Sequence, residues 1–285
     1  MEIFNLPEDI LYDRKTADSD IILYHYSSHK ESIKERAVLN RNALSLVLRG
    51  QKTMHFAESV IDTNETEIHL LSAGNCIASV HFAKQKIFES ILIFFTDKVL
   101  DDFYTANASF IESVKKKYSP DRNAYLSFPK DDFIDTYIHS LLLSLKKKGP
   151  LSESMKHLKL QEILLYLLEN HSNLFLRFHP ARELSGTGLS IRKVVEANKF
   201  SNLSLEEMAF LCNVSVSTFK RQFRKIYKTA PHTWITEQRM KIAGQLLRQG
   251  KEKPGEIWLK LGFETHTGFT KAFKKHFGSL PSTYA

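Results

Sequence analysis

Short apolar runs, interrupted by turn residues at intervals of about 8–12 positions, dominate residues 20–96. The run at 44–48 ends at Arg49 and Gly50, and the run at 76–80 follows Gly74 and Asn75. β-Branched and aromatic residues in runs of this length are typical of strands. The pattern therefore predicts a β-sandwich or a small β-barrel in the first hundred residues.

Between residues 97 and 172 the apolar positions take a helical period. One predicted helix carries apolar residues at 134, 138, 141, 142 and 145, and a second carries a wider stripe at 158, 160, 163, 164, 167 and 168. The second stripe is wide enough to cover the barrel and also to contact another protomer. An intrachain core and a homodimer through helices within residues 130–172 therefore both remain open.

The last third of the chain is helical in pattern throughout. Helices are predicted at 191–200, 204–212, 215–227, 234–248, 256–261 and 265–277. Several of them start with hydroxyl or acidic residues, as N-caps do. This part of the chain is therefore expected to be all-α.

This helical third repeats itself at an offset of 50 residues. Phe219 and Phe223 match Phe269 and Phe273, and each pair lies four residues apart on one helix face. One such helix is ordinary amphipathic structure, but two copies in fixed register indicate a duplicated unit. Further matched pairs are Tyr227 with Phe277, Pro231 with Pro281, Trp234 with Tyr284, Arg221 with Lys271, Arg224 with Lys274 and Lys225 with Lys275.

A shorter helix and a tight turn precede the aromatic helix in each copy. In the first copy the turn contains Asn213, which tolerates a left-handed backbone, and Ser215, which can cap the next helix. In the second copy it runs from Gly262 to Thr265 and is one residue longer. A helix, a short turn and a second helix with exposed basic positions form a helix-turn-helix layout, whose second helix reads a DNA major groove.

Charge is distributed unevenly along the 285 residues. The chain has 40 basic and 32 acidic residues, a net charge of +8. Residues 181–285 hold 18 basic and 8 acidic residues, whereas residues 1–180 hold 22 and 24. The excess charge of +10 in the last third predicts a polyanionic partner there, with nucleic acid as the commonest candidate and an anionic membrane surface as the rival.

The composition and termini exclude several classes of protein. Apolar residues make up 42% and charged residues 25%, which is the balance of a soluble globular chain and not of a collagenous or disordered one. Cys76 and Cys212 lie in different halves, so we expect no disulfide framework and a reducing, cytoplasmic location. We expect no secretory signal in the acidic first residues, and the apolar run at 91–95 is far too short to span a bilayer.

The chain length suits two domains, and the segment at 179–188 is the predicted linker. It contains one proline and two glycines, and the step in charge falls at the same place.

The two repeated motifs resemble a known family. They form the tandem helix-turn-helix domain that is typical of AraC/XylS-family transcriptional regulators, over roughly residues 188–285. They read Leu205-x3-Ala209-x4-Val214-Ser215-x3-Phe219-x3-Phe223 and Glu256-Ile257-x4-Gly262-Phe263-x5-Phe269-x3-Phe273. Among the positions that depart from the pattern, Trp258 replaces a small alanine, Gly268 lies inside the second recognition helix and Leu280 replaces a threonine before Pro281.

The same resemblance suggests an architecture for the whole chain. The N-terminal half is similar in layout to a cupin-like sensor barrel followed by dimerisation helices, as in the type III secretion activators of the family. We therefore expect an α+β protein with a cupin-like sensor and dimerisation domain at 1–178, a linker at 179–188 and an all-α DNA-binding domain at 189–285. It is expected to be an activator, with double-stranded DNA and RNA polymerase as partners, no cofactor and no catalytic residue.

The resemblance also implies which side chains contact DNA. One monomer would place two recognition helices in successive major grooves. The positions that match base-reading residues are Ser217, Lys220, Arg221, His266, Thr267, Thr270 and Lys271. The positions expected to hold phosphates are Ser215, Arg224, Lys225, Thr265, Lys274 and Lys275.

What the N-terminal half senses is left open by the sequence. A small-molecule effector inside the barrel, control by a protein partner and plain packing of the aromatic residues are three explanations. The candidate pocket residues are Tyr24, Tyr26, Phe56, Phe82, Phe94 and Phe95.

Two other classes of function compete with DNA binding. A metal-dependent cupin enzyme would need clustered histidines with a carboxylate, but the sequence has no His-x-His pair, and His25, His29, His55, His69 and His81 are scattered. A membrane-surface binder would direct the aromatic residues of the helices towards lipid, yet it needs no matched second copy of the motif. We therefore expect no metal site and no membrane partner.

Overall fold

The computed structural model describes residues 3–11, 18–82, 87–115, 123–146, 149–178, 187–250, 252 and 254–284. The chain divides into two compact units. The first comprises residues 1–55 and 61–185, and the second comprises residues 56–60 and 186–285. Most of the predicted linker, residues 179–186, lies outside the described residues. The assignment of residues 56–60 to the second unit has no counterpart in the sequence pattern.

The N-terminal part forms two sheets of five strands each within the described residues. The first sheet has the order β1-β3-β8-β5-β6 and the second the order β10-β7-β4-β9-β2. β1 pairs with β3 in parallel, whereas β4 lies antiparallel between β7 and β9. The strands are β1 Ile3–Leu6, β2 Ile21–Ser28, β3 Ser32–Leu39, β4 Asn42–Arg49, β5 Gln51–His55, β6 Val60–Thr63, β7 Glu67–Leu71, β8 Gly74–His81, β9 Phe88–Phe95 and β10 Tyr125–Pro129.

The second sheet is buried on both faces. Alternate residues such as Leu44 and Leu46 belong to the main core, which also contains residues of the helices that follow. On the opposite face, Val47 and Phe88 pack with Val80 of the first sheet. The two facing sheets form the predicted cupin-like barrel, and a sheet with two covered faces explains why β4 and β9 read as continuous apolar runs instead of alternating ones.

Five helices of the first unit are described, and side-chain caps start three of them. Thr96, Asp131 and Ser152 each accept a hydrogen bond from the backbone N–H three residues later. Such caps satisfy a donor that the first helical turn leaves free. The helices are α1 Asp97–Ala106, α2 Ala108–Lys115, α3 Asp132–Leu145, α4 Glu153–Asn170 and α5 Ser172–Phe175.

The two apolar stripes predicted for α3 and α4 lie mainly in the core of the first unit. Ile134, Ile138 and Leu141 of α3 are buried there, together with five residues of α4 between 160 and 168. Leu158 points away from this core and is 57% exposed. Intrachain packing therefore accounts for most of both stripes, and Leu158 lies outside it.

From residue 187 onward the described residues are helical apart from short connections, as the sequence predicts. α9 starts at Pro231, three residues before the predicted start, since proline is favoured in the first helical turn. Within the described residues no helix is long and apolar enough to cross a membrane. The helices are α6 Thr187–Asn198, α7 Leu205–Leu211, α8 Val216–Tyr227, α9 Pro231–Arg248, α10 Pro254–Lys260 and α11 His266–Phe277, followed by a 3₁₀ turn at Pro281–Thr283.

Candidate nucleic-acid interface

The helices α8 and α11 are copies of each other in three dimensions. Each has 12 residues and starts 50 residues from the other. Ser215 caps α8 by accepting from the Thr218 N–H, and Thr265 caps α11 by accepting from the Gly268 N–H. Each helix ends at a residue with a left-handed backbone, Lys228 or Gly278. The repeat read from the sequence is therefore a repeat of structure.

The turn in front of each helix also has the same construction. Asn213 and Gly262 have positive φ values of 53° and 72°, which confirms the left-handed conformation expected at Asn213. The Val214 N–H donates to the Ala209 carbonyl, and the Phe263 N–H donates to the Trp258 carbonyl, both at 3.0 Å. Each motif is thus a helix, a left-handed turn and a capped second helix, which is the helix-turn-helix geometry.

Two of the departures from the family pattern are explained in part by their local contacts. The Trp258 indole N–H donates to the Gly255 carbonyl of the same short helix, and the ring packs at the edge of the core around Phe269 and Phe273. A Cβ at Gly268 would lie 3.1 Å from the Thr265 hydroxyl oxygen. Glycine therefore avoids a close contact with the capping hydroxyl, although Thr218 occupies the matching position of α8 beneath the same kind of cap.

Matched stacks of aromatic rings fix the orientation of each recognition helix. Within α8 the rings at positions 219, 223 and 227 follow one another at centroid distances of 5.9 and 4.5 Å, and Trp234 closes the stack 4.4 Å from Tyr227. Within α11 the rings at 269, 273 and 277 lie 5.7 and 4.6 Å apart, and Tyr284 closes the stack 4.7 Å from Phe277. Because these rings face the cores, the basic residues of both helices face outward.

The predicted DNA-contacting side chains lie on these outward faces. On α8 they are exposed at 217, 220, 221, 224 and 225, and on α11 at 266, 267, 271, 274 and 275. Thr270 is only half-exposed, and its hydroxyl donates to the His266 carbonyl. Each face combines positive charge with small polar groups, which is the chemistry that recognises phosphates and base edges.

Three hydroxyl groups of the predicted set also have structural partners. Ser215 and Thr265 act as helix caps, and the Ser217 hydroxyl lies 3.0 Å from that of Ser215. The hydroxyl oxygens of the two caps already accept from helix N–H groups. The Ser215 hydroxyl also donates to Thr218 Oγ1 at 3.0 Å, so the predicted phosphate contact at Ser215 would fall to N–H groups of the first helical turn.

The sequence pattern does not mark Arg239, which the structure places between the two motifs. Its guanidinium donates to three backbone carbonyls, and burial lowers its pKa. A cleft of about 440 Å³ lies beside it, lined by the start of α7, by α9 and by the turn and first residues of α11. Carbonyl acceptors leave no mark in a sequence, and Arg239 is one of two basic residues in the middle of α9, next to Lys241, so the sequence does not distinguish it.

The structure does not gather the six candidate effector residues into one pocket. Phe95 faces the helices in the main core, whereas Tyr26 and Phe82 pack around Val47 and Val80 between the sheets.

Phe56 belongs to the second unit, where its carbonyl accepts from the Asn198 side chain at 3.1 Å. Phe94 is fully buried, and Tyr24 is half-buried on β2. Alternation along β9 sends neighbouring aromatics to opposite faces of the sheet, so an effector pocket could include only some of the six and stays a prediction.

Burial shifts the pKa of several titratable groups in the barrel, among them His69 and Cys76. His69 is fully buried, with Nδ1 2.8 Å from the Ser127 hydroxyl, and burial together with the nearby charge of Lys130 lowers its pKa to about 4. Burial raises the pKa of the Cys76 thiol to about 11. Among the described residues, no three of the His, Cys, Asp and Glu side chains are grouped so that they could hold a metal ion.

Comparisons with known proteins agree with both halves of this architecture. Residues 42–178 match the ExsA N-terminal regulatory domain family, and residues 208–285 match a helix-turn-helix domain family. The chain is 24% identical over 245 residues to the virulence regulon transcriptional activator VirF of Yersinia enterocolitica, covering 85% of this chain and 88% of VirF. It is 26% identical over 126 residues to the HTH-type transcriptional regulator ExsA of Pseudomonas aeruginosa, covering 44% and 45% of the two chains.

Among solved structures, ToxT from Vibrio cholerae is similar over 93% of this chain and 97% of its own, at 14% identity and a TM-score of 0.40. The family matches and the duplicated motif together give the assignment. The chain belongs to the AraC/XylS family and is a DNA-binding transcriptional regulator whose N-terminal regulatory domain is of the ExsA type.

Proposed function

We propose that the protein activates transcription by placing α8 and α11 in two successive major grooves on one side of the DNA. The observation that carries this proposal is the pair of matched, outward-facing basic helices. An α-helix fits the major groove, and successive grooves on one face of B-DNA are about 34 Å apart. The relative VirF is named a transcriptional activator, which supports the direction of regulation.

Within this proposal the exposed side chains have two kinds of role. Ser217, Lys220 and Arg221 read bases from α8, and Arg221 is best suited to a bidentate guanine contact because its guanidinium forks. On α11 the bases are read by His266, Thr267, Thr270 and Lys271. Phosphates are held by Ser215, Arg224 and Lys225 of the first motif and by Thr265, Lys274 and Lys275 of the second.

The experiment is selection of DNA from a random library with the full chain, followed by affinity measurements on the selected site. Arg221→Ala should weaken binding by about 1–3 kcal/mol and relax the preference at one base pair, because it removes a base contact. Lys275→Ala should weaken all sequences alike and reduce the slope of affinity against salt by about one. Lys98→Ala, which removes an exposed charge from α1 of the first unit, is the matched control and should change neither property.

Selection that returns no preferred sequence would contradict the proposal, as would equal effects of Arg221→Ala and Lys98→Ala.

We further propose that the first unit controls this activity in response to an effector molecule or a partner protein, and that it joins two protomers through α3 and α4. Apolar side chains on these helices remain exposed, namely those of Phe133, Leu143, Met155, Leu158 and Leu165. Activation then requires contact with RNA polymerase. Native mass spectrometry of the purified protein separates the two kinds of control, since a bound small molecule adds mass whereas partner control leaves the chain free.

A further inference from the structure

The side chain of Arg239 joins three separate segments of the second unit. Its Nε donates to the Lys199 carbonyl at 2.9 Å, its Nη2 to the Ser201 carbonyl at 2.7 Å and its Nη1 to the Gly262 carbonyl at 2.8 Å. Lys199 and Ser201 precede the first helix-turn-helix motif, and Gly262 lies in the turn of the second. Arg239 itself lies in α9, the helix that connects the two motifs.

The acceptors around Arg239 favour a cation. α6 ends at Asn198 and α10 ends at Lys260, so the three carbonyls lie within three residues beyond the C-terminal ends of these two helices. Helix C-termini carry partial negative charge on carbonyls that have no partner within the helix. One guanidinium satisfies carbonyls from both ends, and its planar fork can reach several acceptors at once.

The backbone at Gly262 lies directly against the segment that Arg239 holds. A Cβ at Gly262 would lie 2.4 Å from the Phe200 carbonyl oxygen and 2.8 Å from the Ser201 carbonyl carbon. The guanidinium also lies over the Phe263 ring, 5.4 Å from its centroid. The second turn is therefore held in backbone contact with the loop that precedes the first motif.

Beside this junction the two motifs are separated by the cleft of about 440 Å³. Leu203, Ser204 and Leu205 line it from the first motif, and Glu264, Thr265 and Gly268 line it from the second. Packing across the cleft therefore contributes little to the relative position of the motifs. The three hydrogen bonds of Arg239, together with the close contact at Gly262, supply the connection on this side of α9.

We propose that Arg239 is a positioning residue that fixes the distance and orientation between the two recognition helices, and that it thereby sets the spacing between the two half-sites of the operator. This inference rests on the proposed binding of both helices to one DNA site. When two binding elements are held rigidly, the second binds at high effective concentration only if its half-site is at the matching distance. If the junction is loosened, the effective concentration of the second helix at the matching spacing falls, and operators with other half-site spacings are bound with a smaller loss of affinity.

The test measures the affinity of the full chain for duplexes whose half-sites are separated by the selected spacing or by one, two or five base pairs more. For the wild type, each insertion should cost about tenfold or more in affinity. Arg239→Lys keeps the positive charge, but an ammonium group lacks the planar arrangement of donors with which the guanidinium contacts three carbonyls. It should lose about tenfold on the selected spacing, lose much less on the altered ones, and bind a duplex with only the first half-site as the wild type does.

Arg248→Lys is the control, since it makes the same change on the same helix at an exposed residue that contacts only the Tyr284 side chain among the contacts described. It should retain the spacing preference.

Three results would overturn the inference. The wild type could tolerate inserted base pairs without loss, which needs no variant and holds even if Arg239→Lys fails to fold. Arg239→Lys could keep the wild-type spacing preference, or it could lose the single half-site as strongly as the complete site. If the wild type selects no DNA sequence at all, the proposed function fails instead, so the two failures are distinguishable.

Discussion

At the scale of single residues, His69 shows how burial changes chemistry inside the regulatory barrel. It lies in a row across the second sheet with Ser45 and Ser127 as its neighbours on the adjacent strands. Only its Nδ1 has a described partner, and its Nε2 has none among the described residues. With a pKa near 4, the ring is neutral in the folded protein at neutral pH.

This residue predicts a pH dependence of stability. Unfolding exposes the ring and returns its pKa from about 4 to its ordinary value of 6.5. Between these pH values the unfolded state binds more protons, so the free energy of unfolding falls as the pH falls from about 6.5 to 4, by up to about 3 kcal/mol. Urea unfolding at a series of pH values should show this slope in the wild type, and His69→Gln should flatten it.

His25→Gln is the matched control, because His25 is exposed on β2. A slope that survives in His69→Gln, or that disappears equally in His25→Gln, would contradict the role of burial at His69.

At the scale of elements, the two motifs depend on left-handed turns whose surroundings differ. Gly262 and Gly278 both belong to the second motif and have φ values of 72° and 78°. A Cβ at Gly278 would meet nothing within 4 Å, whereas one at Gly262 would lie 2.4 Å from a backbone oxygen. Gly278 should therefore tolerate a side chain much better than Gly262, although the two glycines have the same backbone conformation.

Alanine at each position separates conformational strain from steric overlap. Gly278→Ala should cost about 1–2 kcal/mol, the penalty of a side chain in the left-handed region. Gly262→Ala should cost about 1–3 kcal/mol more, since the turn must also move away from the Phe200 carbonyl. Comparing the urea unfolding midpoints of the two variants measures the difference, and equal losses would show that the turn at Gly262 has room to relax.

The motifs are also the part of the fold that the sequence predicts best. Aromatic residues four apart and a repeat at fixed offset describe local geometry, so the paired ring stacks and outward basic faces follow from them. The role of Arg239 does not follow, because its acceptors are backbone carbonyls that every residue possesses. The sequence identifies Ser215 as a cap but not Thr265, and the contact of both residues with phosphate stays a prediction.

At the scale of the whole molecule, the distribution of charge and the change of periodicity predict a β-rich half and a basic helical half. They do not predict the strand order, which depends on contacts between distant segments. Nor do they predict that residues 56–60, which follow β5 and include the first residue of β6, are assigned to the second unit. The sequence also does not predict where the six candidate effector residues lie, because strand alternation and tertiary packing divide them among three environments.

The exposed apolar residues of α3 and α4 lead to the prediction about assembly. Met155, Leu158 and Leu165 recur at spacings of three and seven residues, away from the stripe that packs in the core of the first unit. Leu143 of α3 is 54% exposed and also lies outside that core. A second protomer is the occupant we propose for this surface, because burying apolar area between copies removes it from water.

Sedimentation equilibrium of the full chain should therefore show a dimer, and Leu143→Glu combined with Leu158→Glu should convert it to a monomer. Two carboxylates buried without partners cost far more than such an interface can supply.

Ile33→Glu is the matched control, since Ile33 is 76% exposed on β3 and lies on neither helix. The monomeric variant should retain its preference for the spacing of a single operator, because both recognition helices belong to one chain. A monomeric wild type, or equal dissociation by Ile33→Glu, would show that this surface does not join protomers.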